Sequence, residues 1–187
     1  MNLLVTSLRL VLATLLMCSV AYPALFLALG HLVFPESARG HLVRSSEGTV
    51  IGSRLVAQSF TSDGYFWPRP SAVDYHADAA GGSNLAPTNP ELAVRTADLV
   101  RRLGATADRP LPAELATASG SGLDPHISLA GALFQIDRVA AARQVDAARV
   151  RTLVEKLAFQ PGGPLAPDPI VNVLELNLAL DQACSAP

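Results

Sequence analysis

The stretch Leu10-Val11-Leu12-Ala13-Thr14-Leu15-Leu16-Met17-Cys18-Ser19-Val20-Ala21-Tyr22-Pro23-Ala24-Leu25-Phe26-Leu27-Ala28-Leu29-Gly30-His31-Leu32-Val33-Phe34 contains no Asp, Glu, Lys or Arg over 25 residues. About 20 apolar residues suffice to cross a bilayer core as a helix. A cleaved signal peptide has an apolar region of about 7–15 residues ending at a small-x-small site. This run instead continues through Leu25, Phe26, Leu27 and Leu29, past the one candidate site near Ala21. Leu15-Leu16-Met17-Cys18 has the look of a lipoprotein signal, but Met17 stands where a small residue is needed. The reading is therefore a retained single-pass helix over 10–34, a short leader over 1–9 and one soluble domain over 35–187. Pro23 removes a backbone donor in mid-span and predicts a kink. Arg9 on one side and Arg39 and Arg44 on the other leave the charge balance indecisive. A short leader with one arginine ordinarily stays inside, which places the leader in the cytoplasm and the domain on the outer face.

The remainder, about 150 residues, is enough for one domain with its own core. Arg9 is the only charged residue before the domain, which therefore carries 13 basic and 16 acidic residues, a net −3. That excludes the clustered positive charge nucleic acid demands. Cys18 lies in the span and Cys184 near the end, so no disulfide framework is expected, and no zinc spacing occurs.

Within the domain, Pro35 to Ser46 reads as a polar exit from the membrane. Thr49-Val50-Ile51 and Leu55-Val56-Ala57 read as short strands about Gly52-Ser53. Ser59 to Thr88 is irregular and rich in Gly, Pro, Ser, Asn and aromatics; ordered loops of that length usually carry function. Asn89-Pro90-Glu91 starts a helix whose Leu92, Leu99, Val100 and Leu103 share a face and which Gly104 ends. Glu114 to Thr117 is expected as a strand. Ser128 and Asp146 cap two further helices, with Val145 stapled to Val150. A Pro/Gly loop over 161–169 precedes Val171 to Asp181, whose alternating leucines fit a strand but whose leucine richness favours a helix. The fold class is a mixed α/β domain anchored by one N-terminal transmembrane helix.

Lys156 is the only lysine and follows no glycine, so a phosphate-binding G-x-x-x-x-G-K-[ST] loop is absent. Ser119, Ser121, Asp124 and His126 suggest a serine hydrolase. The elbow G-x-S-x-G is missing, however, and relay members drawn from six consecutive residues cannot easily align. A tight turn through Ser119, Gly120, Ser121 and Gly122, then Asp124 and His126 leading to the Ser128 cap, is the better reading. Asp74, His76 and Asp78 would face one way if extended, but a solvated loop is favoured and no metal site is assigned. Gly81-Gly82-Ser83-Asn84 has the composition of an anion cradle. Tyr65-Phe66-Trp67-Pro68-Arg69-Pro70 holds the only tryptophan in a stiffened loop. Aromatics and arginine are the usual interface anchors, against the plainer reading that these rings cover the core. Tyr65, Phe66, Trp67, Arg69, Ser71, Gly81, Gly82, Ser83, Asn84 and Asn89 are the candidate partner contacts.

These segments, in this order, resemble the KdpC family of potassium-transporting ATPase components, part of the Kdp potassium pump. The match runs through Phe34-Pro35, Gly52-Ser53, Gln58 and Phe60, Gly64 to Ala72, Gly81 to Leu85 and Asn89-Pro90. It continues through Thr117 to Ile127, Gln135, Arg138-Val139-Ala140, Ala142-Arg143 and Val171 to Asp181. It departs at Trp67-Pro68, where a glycine is expected before the arginine. The resemblance implies a non-catalytic subunit of an ATP-driven potassium import pump in the bacterial inner membrane. Its partners would be a potassium-selecting channel-like subunit, a P-type ATPase subunit and a small membrane subunit, besides the lipid bilayer. It implies no tightly bound cofactor, ATP and potassium acting at the level of the complex, and a catalytic-chaperone role that raises the ATP affinity of the hydrolysing subunit. Gln135 is a nucleotide contact by family analogy only, against the reading of an ordinary helix-surface amide. A membrane-tethered serine hydrolase and an anion-binding module are the alternatives from other classes.

Overall fold

The structure is a computed structural model that describes residues 2–163 and 168–184. It divides into two compact units at Ile51/Gly52. In the first, α1 (Asn2–Leu16), a π-helical turn (Met17–Ala21) and α2 (Tyr22–Val33) run on as one apolar helix. Leu3–Val33 is long and apolar enough to cross a membrane, and none of it is buried. Leucines stand exposed all round it, Leu12, Leu16 and Leu27 among them, as suits a helix solvated by lipid. Its polar side chains turn back on their own backbone. The Thr14 hydroxyl donates to the Leu10 carbonyl at 2.9 Å and the His31 ring bonds the Leu27 carbonyl at 3.0 Å.

The structure refines several sequence expectations here. Residues 2–9, read as a leader, are helical and continuous with the apolar run, and no breaker separates Leu8 from Leu10. The break expected at Pro23 takes the form of the π turn just before it, where the Tyr22 N–H bonds Met17 five residues back. Widening the turn eases the clash between the proline ring and the preceding carbonyls. The membrane exit is also more ordered than a polar linker. It forms α3 (Pro35–Ala38), then β1 (Leu42–Arg44), paired with β2 (Val50–Ser53). The strand expected over Leu55 to Ala57 reduces to a single bridge between Val56 and Ser53.

The second unit is built on an antiparallel pair, β3 (His126–Ser128) and β4 (Ile170–Asn172), with Ile127 opposite Val171. Each strand feeds straight into a helix: β3 into α6 (Leu129–Arg143), β4 into α8 (Val173–Cys184). The alternating leucines of the terminal segment thus belong mostly to a helix, of which Leu174, Leu176 and Leu180 are buried. Helix α7 (Ala147–Leu157) packs Val150 and Val154 between them, in a core with Ile127, Ile136, Val139, Val171 and Phe66. The caps form as read. Ser128 Oγ accepts from the Gly131 N–H, Asp146 from that of Ala148, and Asn89 from that of Glu91 at the start of α4 (Pro90–Leu103). Part of the 161–169 loop lies outside the described residues.

Glu114 to Thr117 is not a strand. Ala113–Ala116 forms a helical turn, α5, in which the consecutive residues Leu115 and Ala116 are both buried, a pattern that an alternating strand cannot make. The turn aims Glu114 at the start of α6. Its carboxylate accepts from the Ser128 N–H at 2.9 Å and from the Ser128 hydroxyl. A negative charge there also suits the helix dipole. A Cβ at Gly131 would overlap that carboxylate. Gly131→Ala and Glu114→Ala are each expected to cost about 1–2 kcal/mol. The double variant should cost clearly less than their sum, because both single changes break the same contact. Denaturant unfolding of the four chains followed by circular dichroism reads the coupling; additive costs would refute it.

Candidate functional site

The irregular segment after β2 is held as a strap by two buried amides. Phe66 is 0% exposed and sits in the core. Its N–H donates to Asn177 Oδ1 at 2.8 Å, and its carbonyl accepts from Asn177 Nδ2 at 3.0 Å. The next residue repeats the pattern: the Trp67 N–H donates to Gln135 Oε1 at 2.8 Å and its carbonyl accepts from Gln135 Nε2 at 3.0 Å. A side-chain amide carries one donor and one acceptor side by side. Here it stands in for the neighbouring strand that this backbone lacks. Gln135 comes from α6 and Asn177 from α8, and they are 1% and 2% exposed.

Three arginines finish the strap. Arg138 donates to the Asp63 carbonyl at 2.7 Å, the Tyr65 carbonyl at 3.0 Å and Gln135 Oε1 at 2.7 Å. Burial pushes its pKa down to about 10, so it stays charged at neutral pH. Arg143 donates to the Gly64 carbonyl at 2.6 Å and pairs with Asp181 at 2.6 Å, while the Tyr65 hydroxyl donates to the same carboxylate at 3.1 Å. Arg138 and Arg102 both lie over the Trp67 ring, at 4.0 Å and 4.8 Å from its centroid. A cation against an aromatic face is worth about 0.5–2 kcal/mol.

Beyond the strap, the glycine-rich pieces pack on each other. The Gly81 N–H donates to the Ser121 carbonyl at 2.8 Å, and the Ser119 N–H to that of Pro70 at 3.1 Å. Arg69 reaches Asp124 at 3.5 Å. Ser71 Oγ accepts the Val73 and Tyr75 N–H groups.

Several candidate contacts therefore have structural employment. Phe66 is core rather than an exposed anchor. Asn89 is a helix cap, and the Gly81 amide is spent inside the chain rather than offered to an anion. Asp74 and Tyr75 adopt positive φ, so Asp74, His76 and Asp78 do not line one face of an extended segment. Ser121 Oγ accepts from the Leu123 N–H, and His126 Nδ1 meets Asp124 at 3.3 Å. The hydroxyl is thus engaged in the turn rather than in a relay. Gln135 is not a surface amide: it is buried and both ends of its amide hold Trp67. Of the candidates in the Tyr65-to-Pro70 stretch, Tyr65, Trp67 and Arg69 keep partly exposed surface. Asn177, Arg143, Asp181, Arg102 and Glu114 were not anticipated as site residues. For Asn177 a signal existed, one amide among the leucines of a helix that buries most of them.

The Asp124 carboxyl lies below the usual carboxylate value, chiefly through the hydrogen bond from the His126 side chain, with the His126 N–H and Arg69 adding to it. A depressed folded-state pKa gives stability that is complete above the unfolded pKa and lost as pH falls through the folded one. Asp124→Asn is therefore expected to flatten the acid limb. Its melting temperature should fall less than the parent's between about pH 5 and pH 3. Equal falls would remove Asp124 from the acid response.

The family described as KdpC, K+-transporting ATPase, c chain, matches residues 4–182. The potassium-transporting ATPase KdpC subunit of Parvibaculum lavamentivorans is 56% identical over 182 residues, 97% of this chain and 97% of that protein. That of Synechocystis sp. is 46% identical over 184 residues, covering 95% and 96%. That of Pseudomonas savastanoi pv. phaseolicola is 43% identical over 186 residues, covering 100% and 96%.

Proposed function

The chain belongs to the KdpC family, the c chain of K+-transporting ATPases, and from that premise we propose that it is a non-catalytic accessory subunit which assembles with the pump and tunes its ATP affinity without touching ATP. The observation that carries this reading is the double amide lock: Gln135, the one residue a nucleotide role attaches to, is buried and fully engaged on Trp67. The absence of a phosphate-binding lysine loop from the sequence points the same way.

In this reading the apolar helix anchors the chain in the bacterial inner membrane against the channel-like subunit, and the domain lies on the outer face at that subunit's mouth. The P-type subunit hydrolyses ATP on the opposite side. A subunit that binds one pump conformation more tightly shifts the population toward it, and with it the apparent ATP affinity. Contact with nucleotide is not required for such a shift.

The test is copurification of the tagged chain from its host grown in low potassium. Recovery of a channel-like and an ATP-hydrolysing subunit is expected, with potassium-stimulated hydrolysis at sub-saturating ATP lost on deletion of the chain. The chain alone, titrated with ATP, should show no change in Trp67 emission, whereas its removal from the pump should raise the KM for ATP. A chain recovered alone, with growth in low potassium unaffected by its deletion, would overturn the reading.

A further inference from the structure

Beside the strap lies a cleft of about 240 Å³, walled by Phe60, Trp67, Pro70 and Tyr75 and by Leu99 and Arg102 of α4. Its volume falls below the roughly 300–1,000 Å³ of small-molecule sites and suits side chains of another protein. Three arginines stack on the strap aromatics, and two of them are spent. Arg138 is committed to three oxygens and Arg143 to Asp181 and Gly64. Arg102 sits over Trp67 at 4.8 Å, and among the described residues no carboxylate lies within 4.0 Å of it. It thus adds an uncompensated positive charge beside Arg138. The helix that carries it has no fully buried residue, so this wall is lightly held. The opposite wall is fixed, because Gln135 and Asn177 lock the strap backbone before anything binds, which lowers the ordering cost of association.

We propose that this cleft docks an acidic–apolar segment of another pump subunit, its apolar side chain against Phe60, Trp67 and Leu99 and its carboxylate on Arg102. The proposal rests on the accessory-subunit reading. Planar guanidinium matches carboxylate in paired hydrogen bonds, and rings with an arginine make the usual centre of a protein interface. A carboxylate there also offsets the charge of Arg102, which shares the Trp67 ring with Arg138.

The experiment places a photo-crosslinking amino acid at Thr61, exposed on the lip of the cleft, in the full chain expressed in its host in low potassium. A matching probe at Glu155, exposed on α7, is the control. Illumination is expected to join Thr61, and not Glu155, to a pump subunit at a position close to an Asp or Glu. Arg102→Gln should cut the adduct by about fivefold, the scale of one exposed charge pair, in a chain that remains folded at the temperature of illumination. Arg102→Lys should retain part of it. An adduct with lipid, with a second copy of this chain or with a segment lacking acids overturns the proposal, as does an unchanged yield in Arg102→Gln. Pump subunits that copurify without any Thr61 adduct refute the docking site alone. Failure to copurify them at all refutes the accessory-subunit reading.

Discussion

Asn177→Leu is expected to cost the domain about 2–4 kcal/mol and to free the aromatic strap. The side chain is 2% exposed and, among the described residues, its amide is the hydrogen-bond partner of both backbone groups of Phe66, itself 0% exposed. Leucine supplies neither donor nor acceptor, so a buried N–H and a buried C=O are both stranded. Each stranded group costs about 1–3 kcal/mol, which the added apolar surface cannot repay because overpacking a filled site costs further. Asn177→Asp separates the two contributions. It still accepts from the N–H but sets a carboxylate against the Phe66 carbonyl, so it should be destabilising as well. Gln135→Leu should cost less, because Trp67 is only partly buried and water can replace the lost bonds. Denaturant unfolding of the full chain in detergent checks this, read by Trp67 emission and by far-ultraviolet circular dichroism. In Asn177→Leu the emission should change at lower denaturant than the helical signal. Coincident, unshifted transitions would show that the lock does not hold the strap.

What the sequence revealed and what it hid follow from the distance over which each feature is decided. The apolar helix and the caps at Asn89, Ser128 and Asp146 depend on neighbours within four residues, and they read correctly. The mixed α/β class and the family resemblance agree with the structure and with the match over residues 4–182. The strap was legible only as an oddity, because its conformation is set by side chains 68 and 111 residues away. Local composition could not say whether Phe66 faces water or core. The same limit turned α5 into an expected strand: the burial of Leu115 and the reach of Glu114 to Ser128 come from elements that the four residues do not contain. The polar members of apolar helix faces, Gln135 and Asn177, were the traces of these long-range contacts.

Gly122→Ala, by contrast with Gly120→Ala two residues earlier, is expected to cost about 2–4 kcal/mol, and the comparison explains why the Ser119-to-Gly122 turn has the sequence it has. Gly122 has φ +69, where a side chain strains the backbone by about 1–2 kcal/mol. A Cβ there would also stand 2.7 Å from Val73 Cγ2 and 2.8 Å from the Gly81 carbonyl oxygen. The carbonyl is backbone and cannot rotate away as a side-chain tip would. The change therefore forces apart the two glycine-rich pieces that Gly81 and Ser121 hold together at 2.8 Å. Gly120 meets nothing within 4 Å and has no positive φ, so alanine there should lie within about 0.5 kcal/mol of the parent, as exposed changes away from special contacts do. Thermal melting of the two variants side by side decides it. Because Asp124, two residues on, pairs with Arg69, Gly122→Ala should also loosen the far end of the strap and weaken association with the pump, whereas Gly120→Ala should leave both intact. Equal melting of the two variants would mean that the turn yields freely and that its second glycine is not required by packing.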